Sequence, residues 1–160
     1  MLLSQLLEDL EYTCSEGTDL EIKDLVYDSR KVSSGSLFIC LRGSSVDSHE
    51  FAGAAARAGA AAVVAERPVD AGGARVVLVK DTRYAMALIS AAWFGHPARG
   101  MTVVGITGTK GKTTTSFMIR SILEAAGIKT GVIGTVGVVI GGEVLKTENT
   151  TPESFEIQSY

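Results

Sequence analysis

The sequence predicts an α/β fold in two parts, residues 1–97 and residues 98–160, and three observations carry that expectation. Short apolar runs of strand length alternate with stretches whose apolar residues recur at helical spacing, the order expected of a mostly parallel sheet covered by helices. Two glycines and a proline in Gly95-His96-Pro97-Ala98-Arg99-Gly100 interrupt that order, as a domain boundary does. Beyond them, residues 101–127 read as a strand, a glycine-bearing loop and a helix.

Taken in order, residues 1–10 form an amphipathic opening helix and residues 20–27 a strand that Asp28-Ser29-Arg30 breaks with turn-forming side chains. Ser33-Ser34-Gly35 makes a turn before a second strand at 37–41, and a polar loop follows at 42–48. Residues 48–58 suit a helix with Ser48 as its N-cap and Gly59 as its stop, leading into a strand at 60–65. A glycine-containing loop at 69–74 precedes a strand at 75–79, and Asp81 caps a helix over 82–94. In the second part, 102–106 reads as a buried strand, 112–126 as a helix ended by Gly127, and 130–133 as a strand. Gly141-Gly142 is the turn of a hairpin, and Thr151-Pro152-Glu153 opens a further helix. One strand–helix–strand unit and a hairpin do not close a doubly wound domain, so the second part reads as truncated.

Composition removes several function classes. The 160 residues are 46% hydrophobic and 21% charged with a net charge of −3, enough apolar material for a core and too little charge for disorder. There is no basic patch interleaved with aromatics, so no nucleic-acid partner is expected. No apolar stretch approaches the ~20 residues of a membrane-spanning helix, and Glu8 and Asp9 cut short any signal-peptide core. A cytoplasmic monomer with Cys14 and Cys40 reduced is the expectation. His49 near a helix start and His96 in the linker read as structural, and Trp93 and Phe94 as packing anchors.

The chemistry concentrates in Gly105-Ile106-Thr107-Gly108-Thr109-Lys110-Gly111-Lys112-Thr113-Thr114. Gly108 and Gly111 let successive amides converge on a triphosphate at a helix N-terminus, where the helix dipole also favours anions. Lys112 then reaches the β- and γ-phosphates of ATP as the catalytic cation, and the Thr113 hydroxyl is the metal ligand for a bridging Mg²⁺. The expectation is a P-loop, Rossmann-like ATP-binding domain in which Gly108, Thr109, Lys110, Gly111, Lys112, Thr113 and Thr114 hold the nucleotide. The generic pattern G-x-x-x-x-G-K-[ST] puts its first glycine at Ile106, whereas the glycines here flank that position at Gly105 and Gly108.

That shifted spacing resembles the loop of the Mur ligases of peptidoglycan synthesis. Asp28-Ser29-Arg30-Lys31-Val32, Gly35, Leu37-Phe38, Gly43, Asp47 with His49, and Gly59-Ala60 are similar to the N-terminal substrate domain of the MurE and MurF types, and Thr147-Glu148-Asn149-Thr150-Thr151-Pro152 resembles MurE. The resemblance runs over essentially the whole chain. It implies a substrate domain over 1–97 that grips UDP-N-acetylmuramoyl-L-alanyl-D-glutamate by its uridine diphosphate end, through Tyr27, Ser29 and the loop Ser44-Ser45-Val46. Asn149, Thr150 and Thr151 match the family segment that contacts the N-acetylmuramoyl part, where amide and hydroxyl groups can bond sugar oxygens.

The implied reaction is an ATP-dependent ligation. The D-glutamate side-chain carboxylate becomes an acyl phosphate, and the amine of a diamino acid, meso-diaminopimelate or L-lysine, displaces phosphate to form an amide. The family's carbamylated lysine, acidic Mg²⁺ ligand and amino-acid-selecting C-terminal domain have no counterpart in these residues, so the chain is expected to be inactive alone. The alternatives are a MurF-type ligase, a non-catalytic UDP-sugar-binding module and a generic P-loop NTPase.

Overall fold

A computed structural model of the chain describes residues 1–43, 46–147 and 150–160, which form two compact units, Met1–His96 and Pro97–Tyr160.

The first unit is built on a five-stranded sheet: β1 (Tyr12–Cys14), β2 (Asp24–Val26), β3 (Ser36–Ile39), β4 (Ala62–Ala65) and β5 (Arg75–Val79), in the order β1-β5-β4-β3-β2. β2 to β5 are parallel, and β1 runs antiparallel against β5. Every residue of β3 and β4 is buried, which is why these strands read as unbroken apolar runs: a parallel strand covered on both faces has no polar side. The register aligns Val26, Phe38, Val63 and Val76 in one row across the sheet. With Cys40, Ala52, Ala55, Ala60, Ala65 and Ala71 this row makes the core on one face. Leu37, Ile39 and Val64, of opposite parity, are equally buried and point the other way.

The helices follow local chemistry. Asp47, not Ser48, accepts the His49 amide and starts a 3-10 turn over Ser48–Phe51, which passes into α2 (Ala52–Arg57). The expected cap is corrected because the Ser48 hydroxyl is engaged by Leu41, donating to its carbonyl and accepting from its amide. Gly59, at φ 108°, ends this helix beside the Ser34 backbone, where a Cβ would come within 3.0 Å. α3 (Thr82–Trp93) is capped by Asp81, whose side chain accepts from the Tyr84 amide. It ends on two left-handed residues, Gly95 at φ 73° and His96 at φ 56°, with the His96 amide donating to the Ala91 carbonyl.

Two expected elements are shorter than read and one was missed. The opening helix shrinks to α1 (Leu3–Leu6): Met1 exchanges backbone bonds with Ile22, the first-turn amides of Leu3 and Ser4 bond the carbonyls of Leu20 and Thr18, and the Leu10 amide closes a turn on the Leu7 carbonyl. Those same long-range bonds use up residues 20–22, so β2 keeps only three residues. β1 is a three-residue edge strand, too short for a period-2 signal.

In the second unit, the glycine loop leads into α4 (Lys112–Ala125), followed by β6 (Gly131–Gly134), β7 (Gly137–Ile140) and β8 (Glu143–Leu145), an antiparallel ribbon, and then α5 (Ser154–Ser159). Gly141, at φ 58°, supplies the left-handed residue of the expected β7–β8 hairpin. Residues 102–106 are not a strand: they pair with nothing among the described residues, and Val103 is 74% exposed. A parallel strand exists only through its ladder, so apolar sequence without a neighbouring strand remains extended chain. Arg120 fastens α4 to the ribbon, donating to Glu124 on its own helix and to the Gly141 carbonyl, while Thr130 also donates to Glu124. The Arg120 guanidinium holds the Glu124 carboxyl below its ordinary range.

Candidate functional site

The sequence-predicted nucleotide loop is an exposed turn that ends at the start of a 14-residue helix. Gly108 has φ 151° and Gly111 φ 81°, conformations that side chains other than glycine resist. Gly111 is the N-cap residue, and the first intrahelical bond runs from the Thr115 amide to its carbonyl at 2.9 Å. The amides of Lys112, Thr113 and Thr114 therefore precede the helical ladder and need acceptors from outside the helix. The Lys112 ammonium folds back over the loop and donates to the Gly108 carbonyl. Thr113 and Thr114 are exposed, and the Ser116 hydroxyl donates to the Thr113 carbonyl rather than to its side chain. Amides, a cation and hydroxyls thus face solvent together, the chemistry that a polyphosphate requires.

Among the described residues no group of three His, Cys, Asp or Glu is placed to hold a metal ion. A divalent ion at this loop would draw on the Thr113 hydroxyl and on oxygens of a bound nucleotide, the manner in which Mg²⁺ is ordinarily held beside phosphates.

The sugar-side expectations fall in two places. Because β2, β3 and β4 are parallel, the segments that follow them emerge along one edge of the sheet, where open α/β sheets bind ligands. Tyr27 and Ser29 follow β2, Val46 lies in the segment after β3, and Glu66-Arg67 follow β4. Tyr27 and Ser29 are half-buried and Val46 is exposed. Ser44, Ser45 and Asn149 lie outside the described residues. Thr150 and Thr151 are exposed in the second unit, next to the buried Pro152.

Ser29 sits in a 3-10 turn, Ser29–Lys31, capped by Asp28. Arg30 grips the Asp28 carboxylate with two bonds of 2.9 and 2.8 Å, and this guanidinium lowers the Asp28 carboxyl to about 2.

The sequence reading did not find the network at the same edge. The His49 ring is fully buried, with Nδ1 2.5 Å from Asp47 Oδ1, and its Nε2 accepts the Glu66 amide at 3.0 Å. Since Nε2 accepts, the ring proton sits on Nδ1 and is donated to Asp47. Arg67 donates to Asp47 Oδ2 at 2.9 Å, and Arg42 lies 3.9 Å from the same oxygen and 3.8 Å from Glu66. Glu66 Oε1 accepts from both the amide and the hydroxyl of Thr82, at the start of α3. His49 and then Arg67 hold the Asp47 carboxyl well below the usual carboxylate range. Burial pushes the neighbouring Cys40 thiol up to about 12, so it stays protonated and inert. A histidine two residues after an aspartate was the only sequence signal; Glu66 and Arg67 lie too far along the chain to be linked to it by pattern.

Comparison with known proteins puts these two regions in a common context. Residues 21–94 match the model described as Mur ligase family, catalytic domain, and residues 106–160 match Mur ligase middle domain. A UDP-N-acetylmuramoyl-L-alanyl-D-glutamate--2,6-diaminopimelate ligase of Syntrophomonas wolfei is 45% identical over 162 residues, covering 100% of this chain and 33% of the relative. The protein of the same name from Bacillus cereus is 49% identical over 138 residues, 86% of this chain and 28% of its own length. Among solved structures, a crystal structure of MurF from Acinetobacter baumannii matches with a TM-score of 0.60 at 32% identity, over 78% of this chain and 27% of that one. The chain spans about a third of the length of the curated relatives it matches.

Proposed function

We infer the function from the premise that this chain belongs to the Mur ligase family. It carries the UDP-sugar-binding and ATP-binding parts of a cytoplasmic ligase that joins a diamino acid, 2,6-diaminopimelate by the names of its relatives, to UDP-N-acetylmuramoyl-L-alanyl-D-glutamate. The observation that carries this reading is the exposed turn from Gly108 to Lys112, whose left-handed glycines and lysine sit at the N-terminus of α4. In this reading the first unit, Met1–His96, takes the uridine diphosphate end of the substrate, and the second, Pro97–Tyr160, takes ATP.

In this reading the D-glutamate side-chain carboxylate attacks the γ-phosphorus of ATP, giving an acyl phosphate as ADP leaves, and the incoming amine then attacks the acyl carbon, forming the amide as phosphate leaves. The protein contributes positioning and charge. The amides of Lys112, Thr113 and Thr114 face the bound phosphates, and Lys112 exchanges the Gly108 carbonyl for phosphate oxygens, where its charge offsets the negative charge of the transferring group. Gly108, Thr109, Lys110 and Gly111 shape the cradle through their backbone. Mg²⁺ bound with the nucleotide supplies further charge neutralisation, with Thr113 as its protein ligand. Tyr27, Ser29 and Val46 receive the uridine diphosphate end along the carboxyl edge of the sheet, and Thr150 and Thr151 bond the N-acetylmuramoyl part.

A second reading, a MurF-type ligase acting on a longer peptide, is favoured by the structural match to MurF. The first is favoured by curated relatives 45% and 49% identical. Calorimetric titration of the chain with UDP-N-acetylmuramoyl-dipeptide, the corresponding tripeptide and ATP separates the two. Tighter binding of the dipeptide with ATP binding supports the first, preference for the tripeptide supports the second, and ATP binding alone leaves only a nucleotide-binding protein.

A further inference from the structure

We infer that Asp47 and His49 are positioning residues that fix Val46 and the described residues beside it at the substrate-receiving edge after β3; the inference rests on the proposed reading of that edge as the UDP-sugar site. The segment leaves the sheet as a short two-stranded base. Ser48 bonds Leu41 through its amide and its hydroxyl, Gly43 donates its amide to the Val46 carbonyl at 2.9 Å, and Arg42 and Asp47 form the bridge between them. These bonds set the shape of the base but not its direction relative to the sheet. Direction comes from Asp47 and His49. Through His49, Asp47 is tied to the Glu66 amide, the residue that follows β4, and through its other oxygen to Arg67.

The imidazole works as a spacer of fixed length with one donor and one acceptor. It is wholly buried, so no water competes for either nitrogen, and reversing the tautomer would set an N–H against the Glu66 N–H. The consequence falls on the residue next to Asp47. Val46 is 55% exposed, an apolar side chain held out at the sheet edge, and Arg42 pairs with Asp47 next to it in the chain. Neither contributes to the core, so an aspartate held this firmly serves the placement of its neighbours. Holding Val46 in place before the ligand arrives saves the entropy of ordering it on association.

Glu66 extends the arrangement. Its carboxylate caps α3 through Thr82 and faces Arg42, so its amide is presented to His49 by a residue that is itself fixed at the other end. The charged groups around the Asp47–His49 pair are Asp47 itself, Arg67, Arg42 and Glu66, two of each sign.

The test is calorimetry of UDP-N-acetylmuramoyl-dipeptide and, separately, ADP with the wild-type chain and the variants Asp47→Ala, Asp47→Asn and His49→Gln. Asp47→Ala is expected to weaken dipeptide binding about tenfold, the cost of ordering one or two freed side chains, with ADP affinity unchanged. Asp47→Asn keeps an acceptor for His49 and should recover most of the affinity; His49→Gln keeps only the bond to Glu66 and should resemble Asp47→Ala. Long-range ¹H–¹⁵N correlation on the wild type should place the proton on Nδ1. A proton on Nε2, or dipeptide affinity unchanged in folded Asp47→Ala and His49→Gln, overturns the inference. Failure of the wild-type chain to bind the dipeptide at all removes instead the reading on which it rests.

Discussion

Lys112 is the residue at which fold and function separate most cleanly. Its ammonium makes a single bond to the Gly108 carbonyl, both groups are exposed, and its stem covers no core. Truncation in Lys112→Ala therefore costs the fold no more than an exposed hydrogen bond, about 1 kcal/mol or less. A nucleotide-bound Lys112 would instead make charge-assisted bonds to phosphate oxygens, worth about 1.5–3 kcal/mol each against an unsatisfied partner. Losing one such bond raises the dissociation constant by about tenfold to somewhat over a hundredfold. Isothermal titration of ADP and of a non-hydrolysable ATP analogue into both proteins measures this, with urea unfolding of each as the control. The analogue should lose more than ADP, because in the proposed complex the lysine reaches the γ-phosphate as well as the β. Affinities that differ by less than about threefold, with both proteins equally stable, refute the assignment of the loop as a phosphate cradle.

Two other outcomes follow from the geometry. Gly137 has φ 117°, and a Cβ there would lie 2.4 Å from the Leu145 carbonyl oxygen, so Gly137→Ala must break the β7–β8 pairing. A loss of about 2 kcal/mol or more in the second unit is expected by urea unfolding followed by circular dichroism. Asp28 and Asp47 have folded carboxyls held below their ordinary range by Arg30 and by His49 with Arg67, so the stability they add is complete above their unfolded value. It disappears as pH falls through the folded value, about 2 for Asp28, with the Asp47 carboxyl also held well below its ordinary range. Thermal unfolding of wild type against Asp47→Asn should therefore show a gap at neutral pH that closes in strong acid; a gap that widens on acidification reverses the sign.

The sequence disclosed most where structure is fixed locally or by burial on both faces. β5 and the helix over Thr82–Trp93 lie where periodicity and the Asp81 cap put them, because an unbroken apolar run and an N-cap are statements about neighbouring residues. The opening segment was over-read as helix for the converse reason. Leu3, Leu6 and Leu7 do sit on one buried face, but Met1 pairs with Ile22 and the Leu10 amide closes a turn on Leu7, bonds that helical periodicity does not reveal. Residues 102–106 illustrate the opposite error: β-branched composition reports a preference for burial against a sheet, and only a neighbouring strand makes it one.

The same division holds for the chemistry. Every component of the proposed nucleotide loop lies within seven residues, from Gly108 to Thr114; Lys112, the first residue of α4, returns across the loop to Gly108, and the left-handed conformations are encoded by glycines that can be read directly. Chemistry of that range is visible as a motif. The Asp47–His49 arrangement closes through Arg67 and Glu66, 20 and 17 residues away, and then through Thr82, 16 further on. Those residues meet because β3 and β4 are parallel neighbours whose ends emerge side by side, so their association is a property of the sheet order and not of any local pattern. His49 read from sequence as a packing residue is half of the account. Its burial is structural, while its two nitrogens, one donating and one accepting, connect the segment after β3 to the end of β4 and make the direction of that segment depend on the fold as a whole.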